Sequence, residues 1–197
     1  PKVYREVTSE KILVLEWLHG KPILEADLSI PESTKSIEIR KQEITTLLFR
    51  AFFQQLYLDG FFHADPHPGN IFYLDNGKIA IIDCGMVGKL DPRTQQILTE
   101  LLLAIFDLDA QGCTQLTIEL SQGGKAESLE RLRNDYEQIL RKYYDLSLSQ
   151  FNFSEVVYEI LQIARKNKLK VPGNLGLYAK CLANLEGAAR QFNPQIN

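Results

Sequence analysis

The densest chemistry in the chain lies between Phe62 and Gly88, FHADPHPGNIFYLDNGKIAIIDCGMVG. His63, Asp65 and Asn70 fall in the pattern H-x-D-x-x-x-x-N, and Asp83 follows two apolar runs, Ile71 to Leu74 and Ile79 to Ile82. Between the runs stands Asp75-Asn76-Gly77-Lys78. Asn-Gly tolerates the positive φ angles of a tight turn, so two short strands are expected to fold back on each other. That hairpin would set Asn70 and Asp83 at neighbouring strand ends beside Asp65. Hard oxygen ligands, with a carboxylate near an attacking hydroxyl, are what a magnesium nucleotide requires. The spacing therefore points to Asn70 and Asp83 as metal ligands and to Asp65 as a general base. A buried Asp83 would be costly to keep charged, and a bound cation removes that cost.

Each of these residues also has a plainer role open to it. Asp65 before Pro66 suits a turn, Asn70 suits the end of one, and His63 between Phe62 and Ala64 suits a hydrogen-bonded core position. Gly69 and Gly85 are expected to serve backbone geometry. A different chemistry, His63-x-Asp65-x-His67 as the metal cluster of a hydrolase, is less well supplied with ligands, since only His19 remains among the histidines.

The order Asp, Asn, Asp matches the protein-kinase signature. More specifically, HADPHPGN followed by IDCGMVG resembles the UbiB/AarF type of atypical, protein-kinase-like family. LVLEWLHGKPI near the start is similar to its hinge segment, and LEGAARQFNP near the end to its terminal helix. The resemblance implies an α+β kinase-like fold, with residues 1–20 as the end of the small lobe and the hinge and residues 21–197 as the large lobe. It implies ATP and Mg2+ as cofactors. Leu15 would be the gatekeeper, and the backbone of Glu16 and Leu18 would meet adenine. His67, two places after the base, would stand where protein-serine kinases carry a phosphate-contacting Lys. Cys84 replaces the usual Phe, which leaves the metal ligand untouched. The β3 Lys and the nucleotide loop of such a fold are not found in these residues, so they would lie before Pro1, and the piece alone is expected to be inactive. The implied activity is kinase or ATPase chemistry linked to ubiquinone or plastoquinone biosynthesis. Its acceptor could be a protein hydroxyl, a small lipid-like molecule or water. Expected partners are quinone-biosynthesis proteins or a prenyl lipid at a membrane surface. A non-catalytic nucleotide-binding scaffold is the alternative.

Composition narrows the setting. The 197 residues are 45% hydrophobic, enough for one sizeable core. A net charge of −3 and a pI near 5.7 give no electrostatic footprint for nucleic acid. Cys84, Cys113 and Cys181 form no C-x-x-C pair, so buried free thiols in a reducing, intracellular compartment are expected, cytoplasmic or peripheral to a membrane. No apolar run reaches the length of a membrane span.

The remaining sequence reads as scaffold. Val3 to Glu6 and Ile12 to Leu15 suggest two strands, and Ala26 to Lys35 an irregular stretch. Glu38 to Asp59 reads as a helix apolar nearly all round, stopped by Gly60. Asp91-Pro92 opens a helix that Gly112 is expected to close. Helices are further expected at Thr114 to Ser121, Ala126 to Tyr144, Phe153 to Asn167 and, after Pro172-Gly173-Asn174, Leu175 to Phe192.

Overall fold

A computed structural model describes residues 1–29, 36–121, 128–144 and 151–195. Within them the chain runs β1 (Gly20–Pro22), α1 (Ile37–Gln54), β2 (Phe61–His63), β3 (Ile71–Leu74), β4 (Ile79–Ile81), β5 (Val87–Lys89), α2 (Pro92–Phe106), α3 (Ala110–Leu120), α4 (Leu129–Tyr143), α5 (Phe153–Lys166) and α6 (Leu175–Phe192). The architecture is α+β, with small antiparallel sheets set among helices. Residues 30–35 of the irregular stretch expected from Ala26 to Lys35, and the first two residues of the helix expected from Ala126, lie outside the described residues.

The hairpin forms as its turn residues demand. β3 pairs with β4, Ile71 opposite Ile81. Only Gly77 of the turn has positive φ, at 79°. The Gly77 amide donates to the Leu74 carbonyl and the Leu74 amide to the Lys78 carbonyl, the pattern of a type I turn closed by a left-handed glycine. β1 adds to the free edge of β3, giving the order β1-β3-β4. The stretch around Leu18 thus leads straight into the sheet that carries Asn70 and Asp83.

The two strands expected at the start are not formed as such. Arg5–Val7 is a 3-10 turn, and the arms meet only through bridges, Val3 with Leu15 and Ser9 with Ile12. An isolated two-stranded pairing is marginal in water, and Val7, Ile12 and Leu13 are all exposed.

Ser36 caps α1 by accepting from the Ile39 amide. The helix continues as a π turn, Gln55–Asp59, and ends where Gly60 turns left-handed at φ 67°. Its apolar surface is not buried all round: Ile44, Leu48 and Phe52 face the core, whereas Leu47 and Leu58 are exposed. Gly112 does not close a helix either. α2 stops at Phe106, Leu108 turns the chain at φ 56°, and Asp109 caps α3 by accepting from the Gly112 amide. The cap carboxylate lies over Gly112, so glycine here makes room for a helix start.

Two apolar clusters hold these pieces. One gathers α1, β2 and α6 around Phe52, Phe62, Tyr178, Leu182 and Leu185, directly beneath the Asp65 loop. The other joins α2 to α5 around Leu101, Leu132, Tyr136 and Ile160. Glu186 of α6 ties them, accepting from the Phe153 and Ser154 amides at the start of α5, at 2.7 and 3.1 Å.

Candidate functional site

His63 is the buried hub of the candidate site. It ends β2, and its own amide donates to Oε1 of Gln55 in the π turn at 2.9 Å. Its Nε2 lies 2.9 Å from the Asp83 carbonyl and 3.1 Å from that of Ile82, while Nδ1 accepts from the Asp65 amide at 3.2 Å. Two carbonyl partners on one nitrogen and an amide on the other fix the tautomer with hydrogen on Nε2. Neither nitrogen is left for a metal, and among the described residues no group of three or more His, Cys, Asp or Glu could hold one. The His63-x-Asp65-x-His67 sequence is therefore not built as a hydrolase metal cluster.

Asp65 and Asn70 share a closed loop. The His67 amide and the Asn70 carboxamide nitrogen both donate to the Asp65 carbonyl, at 2.8 and 3.1 Å. The Asn70 carbonyl in turn accepts from the Ile82 amide at 2.9 Å, one residue before Asp83. Asn70 is buried, and its nitrogen is engaged, so its side-chain oxygen is the group left to accept. Exposed His67 caps the short turn Pro68–Asn70 by accepting from the Gly69 amide at Nδ1, which leaves Nε2 for other partners.

Asp83 departs from expectation in one respect: its side chain is exposed, so no cost of burial has to be met there. What distinguishes it is the backbone, held left-handed at φ 57°, a strained conformation for a residue with a Cβ. The bond from His63 to its carbonyl supports that conformation, and Oδ1 accepts from the Gly85 amide at 3.2 Å. A Cβ on Gly85 would stand 3.0 Å from that same oxygen. Cys84 is exposed as well, which corrects the expectation of three buried thiols: only Cys113 and Cys181 are buried.

Sequence reasoning missed the contribution of α6. Asn184 donates to Oδ1 of Asp65 at 2.6 Å, and Lys180 Nζ lies 3.3 Å from Oδ2 and 3.2 Å from Met86 Sδ. Between them, Cys181 donates to the His63 carbonyl at 3.3 Å, and burial pushes its thiol up to about 12. The only local signal was two polar residues four apart on an otherwise apolar helix face. Their partner stands more than a hundred positions earlier.

Among the described residues no hydrogen bond joins Glu16 or Leu18 to this cluster. The Glu16 amide donates to the Lys2 carbonyl at 2.8 Å, and among the described residues neither the Glu16 carbonyl nor the Leu18 amide is taken. Trp17 between them is 81% exposed. A bond from the Asp75 amide to the His19 carbonyl links this stretch to the hairpin.

Comparison with known sequences places the chain in a family. The ABC1 atypical kinase-like domain matches residues 1–117, and the UbiB helical domain matches residues 136–197. The chain belongs to the ABC1 atypical kinase-like family. Within it, an uncharacterised protein of Synechocystis sp. is 73% identical over 95% of this chain and 46% of its own length. Proteins named as probable protein kinase UbiB in Histophilus somni and Azotobacter vinelandii are 28% and 30% identical over the whole chain and 36% of their own length. The chain thus spans between a third and a half of these ABC1 relatives. The helical domain supplies α5 and α6, so the residues touching Asp65 from α6 come from a different part of the family's architecture than the loop they touch. Among the described residues no helix is long and apolar enough to cross a membrane.

Proposed function

We propose that this chain forms the large-lobe half of a magnesium-dependent, ATP-binding kinase-like centre, with residues 1–20 as the hinge and the end of the small lobe. The observation that carries the reading is the bonding of Asp65, Asn70 and Asp83 through one buried histidine and one carboxamide. The donor set fits Mg2+. One exposed carboxylate, Asp83, and one carboxamide oxygen, Asn70, suit a cation that takes few protein ligands and completes its shell with phosphate and water. When bound, the cation would neutralise charge on the phosphates.

The chain's own residues would do the rest. Asp65 accepts the proton of the attacking hydroxyl. The Glu16 carbonyl and Leu18 amide receive the adenine edge, and His67 offers Nε2 to a phosphate oxygen. Exposed Val3, Ile12, Leu13 and Leu15 suit an apolar surface covered by more of the small lobe in a longer chain. A role beside prenylquinone biosynthesis, at a membrane surface, follows from the UbiB resemblance and belongs to the same proposal.

Calorimetry with Mg-ATP on the full-length protein tests it. Asp83→Asn is expected to abolish nucleotide binding, because a metal ligand acts in the ground state. Asp65→Asn should keep binding and lose about 100- to 10,000-fold in turnover, the usual range for a general base. Equal loss of binding in both variants contradicts the roles. Binding without any turnover in the unaltered protein assigns a scaffold instead.

A further inference from the structure

A triphosphate in the proposed centre would lie against two carboxylates, Asp65 and Asp83, while His67 already has one ring nitrogen bound to the Gly69 amide. We propose that the side-chain cation facing the transferring phosphate, in addition to any bound Mg2+, is Lys180, supplied by α6 from outside the catalytic loop, with Asn184 one turn later fixing the base beside it. The inference rests on the kinase-like reading above and deepens it.

Lys180 stands where such a cation is needed. Its Nζ lies 3.3 Å from Oδ2 of Asp65 and 3.2 Å from Sδ of Met86, three residues after Asp83. It therefore spans the base and the segment behind the metal-facing carboxylate. An ammonium has three hydrogens. One faces Asp65 and one meets a weak sulfur acceptor, so among the described residues one donor is left for a phosphate oxygen, and the side chain is 42% exposed. Among the described residues no other Lys or Arg is bonded to Asp65 or Asp83. The two carboxylate oxygens of Asp65 are also distinguished: Oδ1 is held by Asn184 at 2.6 Å, whereas Oδ2 has only the longer ion pair. Oδ2 is thus the oxygen left to take a proton.

Fold maintenance does not account for the pair. α6 is anchored by Tyr178, Cys181, Leu182 and Leu185, all fully buried, and single partly exposed ion pairs hold little stability. In the transfer step the acceptor hydroxyl loses its proton to Oδ2 of Asp65 and its oxygen bonds the terminal phosphorus. The bond from that phosphorus to the bridging oxygen breaks, and ADP leaves with both electrons. Lys180 keeps its protons throughout and offsets charge on the phosphoryl oxygens.

The test uses the full-length protein, Lys180→Met and Lys180→Arg, with affinities for Mg-ATP and Mg-ADP, turnover and melting temperature. Lys180→Met is expected to melt as the parent does, to bind ADP as before, to lose most of its preference for ATP over ADP and to turn over about 100-fold more slowly, the usual effect of removing one transition-state donor. Lys180→Arg should recover most of the ATP preference. An unchanged ATP-to-ADP ratio in Lys180→Met overturns the proposal, even in a protein without turnover. So do faster turnover, which would make Lys180 a brake, and an early-melting Lys180→Met, which would make it structural. A parent protein that binds no nucleotide fails at the earlier reading and takes this one with it.

Discussion

The imidazole of His63 holds the carbonyl of Asp83 at 2.9 Å, so a buried residue of the base loop supports the strained backbone that presents the second carboxylate. Replacing His63 with Ala strands the Ile82 and Asp83 carbonyls and the Asp65 amide together. A fully buried polar group without a partner costs about 1–3 kcal/mol, and because these three bonds are only part-buried the loss should lie near the lower end, about 1 kcal/mol. Urea unfolding should register a loss of that size, and Mg-ATP affinity should fall although Asp83 itself is unchanged. Nucleotide affinity equal to the parent's would mean that Asp83 keeps its conformation without His63.

Glu186 joins the two cores, with each carboxylate oxygen on an amide at the start of α5. A negative charge at a helix start also meets the positive end of the helix dipole. Glu186→Ala removes both acceptors and should lower stability by roughly 1–3 kcal/mol, while Glu186→Gln, which retains one acceptor, should lose less. Equal losses in the two variants would show that the carboxylate's hydrogen bonds do not order this junction.

Asp135 gives the fold an acid-sensitive contact between α4 and α5. Burial raises its carboxyl, but hydrogen bonds from Lys166 at 2.5 Å and Asn167 at 2.8 Å, with the charges of Lys166 and Arg131, outweigh it and hold the group below its ordinary value of 3.8. A depressed folded value means that the stabilisation is complete above the unfolded value and disappears as pH falls through the folded one. Asp135→Asn should be less stable than the parent near neutrality, and the two denaturation curves should converge between about pH 5 and pH 2. A gap that stays constant into acid would exclude the ionised carboxylate as its source.

Thiol chemistry distinguishes the three cysteines. Cys84 is exposed, whereas Cys113 and Cys181 are buried, and burial pushes both of those thiols up to about 12. Since the thiolate is the reactive species, one thiol should react quickly in the folded protein and all three in denaturant. A second fast thiol in the native state would mean that α3 or α6 opens readily.

Local patterns carried much of the outline. The Asn-Gly hairpin, the capping Asp91, the stop at Gly60 and the span of α6 all depend on neighbours within a few residues, where backbone sterics and caps decide. Spacing alone likewise set Asp65, Asn70 and Asp83 on the ends of one hairpin and its preceding loop. Where a neighbour outweighed propensity, the pattern misled: Gly112 reads as a stop, yet Asp109 one turn earlier makes it part of a helix start. Contacts between distant segments, by contrast, depend on how the helices pack. Nothing near Lys180 or Asn184 indicates that both meet Asp65, because burial of Tyr178, Cys181 and Leu182 sets the position and rotation of α6, and that docking alone aims its two polar side chains at the loop.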